Sequence, residues 1–222
     1  MPRRPSAFAS SVAEKLLIAL TGLALVGYLV VHLIGNALVF LGPARFNGYA
    51  HALVSNPLVV PVEVGLVAIF VLHVWKTVVM WWRNRKARPE PYQRRRWAGP
   101  PSRKSVASST MIYTGAIAAV FVVLHVRAFK YGPAGQVAGQ RDLYGLLVGF
   151  FHDPVHVALY EACLVLVGLH VWHGFSSAFE SLGVNGPRIT PGVLRLGRVL
   201  AVLLAGGFLA IPLWAFLLGG RP

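Results

Sequence analysis

The chain is poor in charge, poorer still in acid, and nearly without cysteine: of 222 residues 13% are charged, seven are Asp or Glu, and Cys163 is the one cysteine. A soluble domain carries roughly a quarter charged residues, so the ordinary soluble class is excluded. A single cysteine excludes an internal disulfide framework and any cysteine-based zinc or iron–sulfur centre built by this chain alone. There is no Gly-x-Gly-x-x-Gly fingerprint for a dinucleotide. What remains is 56% hydrophobic residues, a mean hydropathy of +0.62, 21 Lys and Arg, and eight histidines. In a soluble chain the formal charge of +14 would suggest nucleic acid as a partner. The placement of the cations decides otherwise.

Between Lys15 and Arg45 lie 29 residues without Asp, Glu, Lys or Arg, and a spanning helix needs about 20 apolar residues. Reading on in the same way gives five expected spans, at about 16–41, 58–82, 106–126, 154–179 and 199–218. The second contains Glu63 and Lys76, the fourth Glu161. The first run is longer than a secretory h-region of about 7–15 residues, so it is expected to remain in the mature protein. The links 42–57 and 127–153 carry Gly, Pro and Asn and read as loops. The expected fold is an all-α membrane protein: one transmembrane domain over 1–222, five helices, the first four forming a bundle.

Sixteen Lys and Arg fall on the side of the N-terminus and five on the other. The positive-inside rule then places the N-terminus in the cytoplasm and the C-terminus outside, in the inner membrane of a cell of bacterial or archaeal type. Most of the positive excess becomes a cytoplasmic collar, which removes most of the support for nucleic acid. Such a collar attracts anionic lipid at about 1 kcal/mol per juxtamembrane cation, and the run from Arg83 to Lys104 could also dock an acidic partner.

Ionisable residues inside spans are rare and face the protein interior, so they are functional candidates. His32, His73, His125 and His170 lie one on each of the first four spans. At 1.5 Å per residue, His32 and His125, on spans running outward, fall in the outer half; His73 and His170, on spans running inward, fall in the inner half. The two levels are expected to lie roughly 10–15 Å apart. Two imidazoles from different helices at one depth are what bis-histidine haem ligation needs. Two such pairs predict two b haems, held without covalent attachment because no Cys-x-x-Cys-His is present. A zinc or di-metal cluster fits less well, since each level supplies two ligands. Gly27, Gly35, Gly115, Gly168 and Gly174 lie on the same helices and offer room. His173, three residues after His170, competes as the inner ligand. His51, His152 and His156 lie in or beside the outer links.

The stretch Lys15 to Leu53, with Thr21-Gly22, His32-Leu-Ile-Gly35-Asn36, Gly42, Asn47 and Tyr49-Ala50, resembles the di-haem cytochrome b membrane subunit of succinate dehydrogenase and fumarate reductase in its single-polypeptide, five-helix form. The likeness continues through His73, Leu124-His125-Val126, His170-Val-Trp-His-Gly174, Ser177 and Ser181-Leu182-Gly183. It implies that His32 and His125 ligate the outer haem iron, and His73 and His170 the inner. It further implies a flavoprotein subunit with FAD and an iron–sulfur subunit on the cytoplasmic face, a membrane quinone (menaquinone in preference to ubiquinone), and a place between the tricarboxylic acid cycle and respiration. A higher oligomer of the complex is compatible with it. The succinate site itself would lie on the flavoprotein.

Quinone reduction needs a proton donor beside a haem. Glu63 is the favoured residue, about a turn and a half inside the second span near the depth of His32 and His125, where an unpaired charge is costly; the bland alternative is a carboxylate paired with Arg45 or solvated. Glu161, about 180° round the helix from His170, is the second candidate, with an interhelical hydrogen bond as its favoured alternative. Lys15, Trp75, Lys76, His173 and Ser177 could border a second quinone site or haem propionates. Two other readings compete: the cytochrome b of a hydrogenase or formate dehydrogenase, which the first-span motif disfavours, and a non-haem transporter or anchor. For a transporter one expects repeated halves, and no such symmetry is evident in the sequence.

Overall fold

The computed structural model describes residues 11–87 and 110–219. In chain order it comprises α1 (Ser11–Ala37), a 3-10 turn (Leu38–Leu41), α2 (Pro43–Val54), α3 (Val59–Lys86), α4 (Met111–Phe129), the strands β1 (Gln136–Val137) and β2 (Gln140–Arg141), α5 (Leu143–Phe151), α6 (Pro154–Ser181) and α7 (Thr190–Leu218). The helices α1, α3, α4, α6 and α7 are long and apolar enough to cross a membrane. At 1.5 Å per residue the longest measure about 43 Å, more than the roughly 30 Å of a hydrocarbon core.

Their outward surface is as apolar as their interior. Val60, Val64, Val67 and Val71 on α3 are each more than half exposed, and no residue of α3 is buried. A surface of that kind is stable where lipid is the solvent, because the helical backbone satisfies its own polar groups. The fold is an all-α membrane one.

Successive spans run in opposite directions. Glu14 at the start of α1 accepts from Arg83 at the end of α3 (2.7 Å) and lies 3.8 Å from Lys76. At the other end Glu63 near the start of α3 is ion-paired with Lys130, just after α4. The rings of Phe40 and Trp214 meet at 5.3 Å, so α7 ends on the same face as α1. We call the face where α1 begins the near face, and the opposite one the far face. Cations lie over tryptophans at the near end of α3: Lys76 over Trp75, Arg85 over Trp81, Lys86 over Trp82. Trp with Lys or Arg at a helix end is a membrane-interface signature.

The structure departs from the sequence expectations in three places. The link 42–57 is not a loop: α2 starts on Pro43 at its first turn, after Gly42 at φ 90°, a left-handed conformation that favours glycine. The link 127–153 contains the β1–β2 hairpin and α5, whose N-cap Asp142 accepts from the Gly145 N–H. The last span begins at Thr190 rather than 199, because Arg195 and Arg198 sit within the helix at its near end instead of ending it. Among the first four spans, α1 packs on both α3 and α6, and α6 packs on α4. The most extensive helix pairing is α6 with α7, while α3 packs on α1 and scarcely touches α4. Glycines allow this: a Cβ on Gly168 would lie 2.8 Å from that of Ala205, and one on Gly207 would lie 2.7 Å from Leu33 Cδ2. Small residues at such crossings let backbones approach where dispersion is the main attraction. The expected start of the third span at 106 lies outside the described residues, as do the cations at 3, 4, 88–104 and 221.

Candidate functional site

The four spanning histidines occupy two levels. At the far level His32 of α1 and His125 of α4 are ring neighbours, with centroids 5.8 Å apart and planes at 85°. Aromatic rings wall this pair in. Tyr28 stacks on His32 at 5.3 Å and Phe208 of α7 lies 5.8 Å from it. Phe121, Phe129 and Tyr160 surround His125 at 5.8, 5.2 and 6.1 Å. Polar support is thin. His32 Nδ1 has Tyr28 and Asn36 at 3.4 Å, and the buried His125 Nδ1 finds no hydrogen-bond partner among the described residues. Behind the aromatics, α2 and α5 close the far end over a core of Val39, Phe46, Leu147, Val148, Phe151 and Ile211. Asn47 ties the two together, donating to Asp142 (2.7 Å) and accepting from the Tyr144 N–H.

The near level is built differently. His73 Nδ1 lies 3.0 Å from Thr21 Oγ1 of α1, and His170 Nδ1 lies 3.2 Å from Thr114 Oγ1 of α4. Each threonine precedes a glycine against which the same ring packs. A Cβ on Gly22 would come within 3.1 Å of His73 Cε1, and one on Gly115 within 2.9 Å of His170 Cε1. A Thr-Gly step on one helix therefore receives the imidazole of the next, twice over.

Both Thr-Gly steps stand at one spacing from a histidine: Thr21 is eleven residues before His32, and Thr114 eleven before His125. Eleven residues are about three helical turns, so threonine and histidine share a face and lie roughly 16 Å apart. The repeat Thr-Gly-x9-His is an internal symmetry that the sequence reading passed over, and with it Thr114; aligning the first span on the third would have exposed both. Phe208 was missed because nothing in the sequence says that α7 folds back onto α1.

Of the glycines expected to make room, Gly115 meets a histidine ring. Gly35 receives the Tyr49 ring, Gly168 serves α7, Gly174 lies against Met111, and Gly27 has no described atom within 4 Å of its Cβ position. Glu63 is two-fifths exposed and paired with Lys130, not with the Arg45 of the bland alternative. Glu161 does not make the interhelical bond expected of it, since its buried Oε1 has no hydrogen-bond partner among the described residues. Lys76 is drawn to Glu14. His173 and Ser177 are half-buried on α6. His51 is exposed near Ser55, while His156 stacks on Phe150 at 4.0 Å with Nδ1 3.0 Å from the Phe150 carbonyl. His152 is the helix-end residue of α5.

Among the described residues no three His, Cys, Asp or Glu side chains converge on a point that would hold a metal ion; the imidazoles come in twos. Compared with protein-family models, curated proteins and solved structures, the chain matches none.

Proposed function

We propose that the chain is the di-haem cytochrome b membrane subunit of a succinate:quinone oxidoreductase, passing electrons between an iron–sulfur partner and membrane quinone. The observation that carries the reading is the His32–His125 pair. Two imidazoles bound through one nitrogen each to a single ion, at about 2 Å per metal–nitrogen bond, put their ring centres roughly 6 Å apart; these stand at 5.8 Å, on two helices, inside a spanning domain. The donor chemistry at the near level fits equally well, because each Nδ1 there is engaged by a threonine, leaving Nε2 as the ligating nitrogen.

His32 and His125 would hold one b haem and His73 and His170 the other, supplying one-electron transfer across the membrane. The chain's own part is to fix the ring orientations, to exclude water with the aromatic wall, and to handle protons where quinone reacts. Glu63, at the far end beside Lys130, would be the carboxylate to do so. The near face, taken as cytoplasmic from the charge asymmetry, is where the flavoprotein and iron–sulfur subunits would dock.

A reduced-minus-oxidised spectrum with a haem assay on the purified chain tests this: two b haems per chain are expected, and none would overturn it. Co-purification with succinate:quinone activity is expected next. Two haems in a complex that instead oxidises hydrogen or formate would keep the cytochrome and discard the succinate assignment.

A further inference from the structure

We infer that Thr21 and Thr114 are positioning residues for the two near-level imidazoles, each fixing the tautomer of the histidine on the following span. The inference rests on the haem reading for its consequence but on hydrogen-bond bookkeeping for its substance. A threonine hydroxyl has one proton and two lone pairs. Thr21 Oγ1 donates its proton to a carbonyl of its own helix, with Leu17 O at 2.7 Å and Ile18 O at 3.1 Å; Thr114 Oγ1 donates to Met111 O at 3.1 Å. Back-bonding of this kind is the habit of a threonine inside a helix. With the proton spent, each oxygen faces its histidine as an acceptor. The ring nitrogen at 3.0 or 3.2 Å must then be the donor, so Nδ1 carries the hydrogen and Nε2 is bare.

Both threonines are buried, at 7% and 3% exposed, so water does not compete for these bonds. Gly22 and Gly115 hold each ring at the distance where the bond forms. The device occurs twice at the near level and not at the far level, where His125 Nδ1 is buried without a partner among the described residues.

A hydrogen bond accepted from Nδ1–H makes the imidazole a stronger electron donor through Nε2, stabilising the oxidised iron. The full chain is purified as Thr21→Val and Thr114→Val, which keep the shape and delete the oxygen, and as Thr→Ser at each site, which keeps the oxygen. The valine variants are expected to raise the midpoint potential of the near-level haem and shift its low-spin resonance signature, leaving the far-level haem unmoved, with serine restoring both. The double valine variant is expected to shift further or to drop from two haems to one. Valine variants that retain two haems with unchanged potentials and signatures would overturn the inference while leaving the cytochrome reading intact. Nitrogen-15 resonances of labelled histidine supply the haem-independent arm. Nδ1–H at His73 and His170, lost on substitution to valine, is expected even in a chain that binds no haem; an Nε2–H tautomer there in wild-type apoprotein would overturn it.

Discussion

At the near level each imidazole is held by a hydroxyl and a glycine of the neighbouring helix, whereas at the far level the rings are held by other rings: Tyr28, Phe121, Phe129, Tyr160 and Phe208. The difference follows from what lies around each level. Toward the far face the aromatic core under α2 and α5 adds a packed layer that can hold a ring by shape. Toward the near face α3 and α4 scarcely touch, so orientation has to come from directed bonds. Packing fixes where a ring lies with little control over which nitrogen is protonated; a hydrogen bond fixes both.

The most severe way to break the comparison is to remove one ring. His125→Ala is expected to lower haem from two per chain to one, sparing the near-level signal, and His73→Ala to do the reverse. Quantitative haem assay with redox titration reads the result. Loss of both haems from either variant, with the chain still folded by helical circular dichroism, would show that the levels are not independent.

Next in size is added bulk. Gly115→Ala and Gly22→Ala put a methyl at 2.9 and 3.1 Å from the ring carbons of His170 and His73. Both are expected to reduce near-level haem occupancy severalfold and leave the far level alone. Gly65→Ala, on the same kind of helix but with no described atom within 4 Å, is the control and should be neutral.

These two experiments rest on residues that were unequally legible. The four histidine depths could be read from the sequence because charge-free runs fix where helices lie and the 1.5 Å rise fixes how deep each residue sits. The fold was legible to the same extent: five spans appear close to their expected bounds, and the error at α7 arose from treating Arg195 and Arg198 as terminators when interfacial cations continue a helix. The helices α2 and α5 announced themselves through Gly42-Pro43 and Asp142, but Gly and Pro also mark loops, and only tertiary burial decides between the two. Partners across helices were the least legible. Nothing local to Glu63 names Lys130, and nothing local to His32 names Phe208.

Phe208→Ala tests the aromatic side of the comparison with a smaller effect. In lipid its loss removes packing without a hydrophobic penalty, so about 1 kcal/mol is expected. That should appear as a lower thermal midpoint for far-level haem release, with near-level release unchanged. An equal effect on both levels would show that α7 braces the whole fold and not the His32 ring in particular.

The smallest expected disturbance of either level comes from Glu63→Gln. The carboxylate and its partner Lys130 are each about two-fifths exposed, and exposed ion pairs contribute about 0–1 kcal/mol, so both haem spectra should be unchanged. Quinone turnover should nevertheless fall by about a hundredfold or more if Glu63 carries the proton, the scale of general acid–base contributions. Lys130→Gln separates the two roles of the carboxylate. It breaks the same ion pair while leaving the carboxylate in place, so it should cost far less turnover than Glu63→Gln. Equal losses in the two variants would make the ion pair, not the proton, the thing that matters at the far face. Unchanged turnover in both would remove Glu63 from the chemistry.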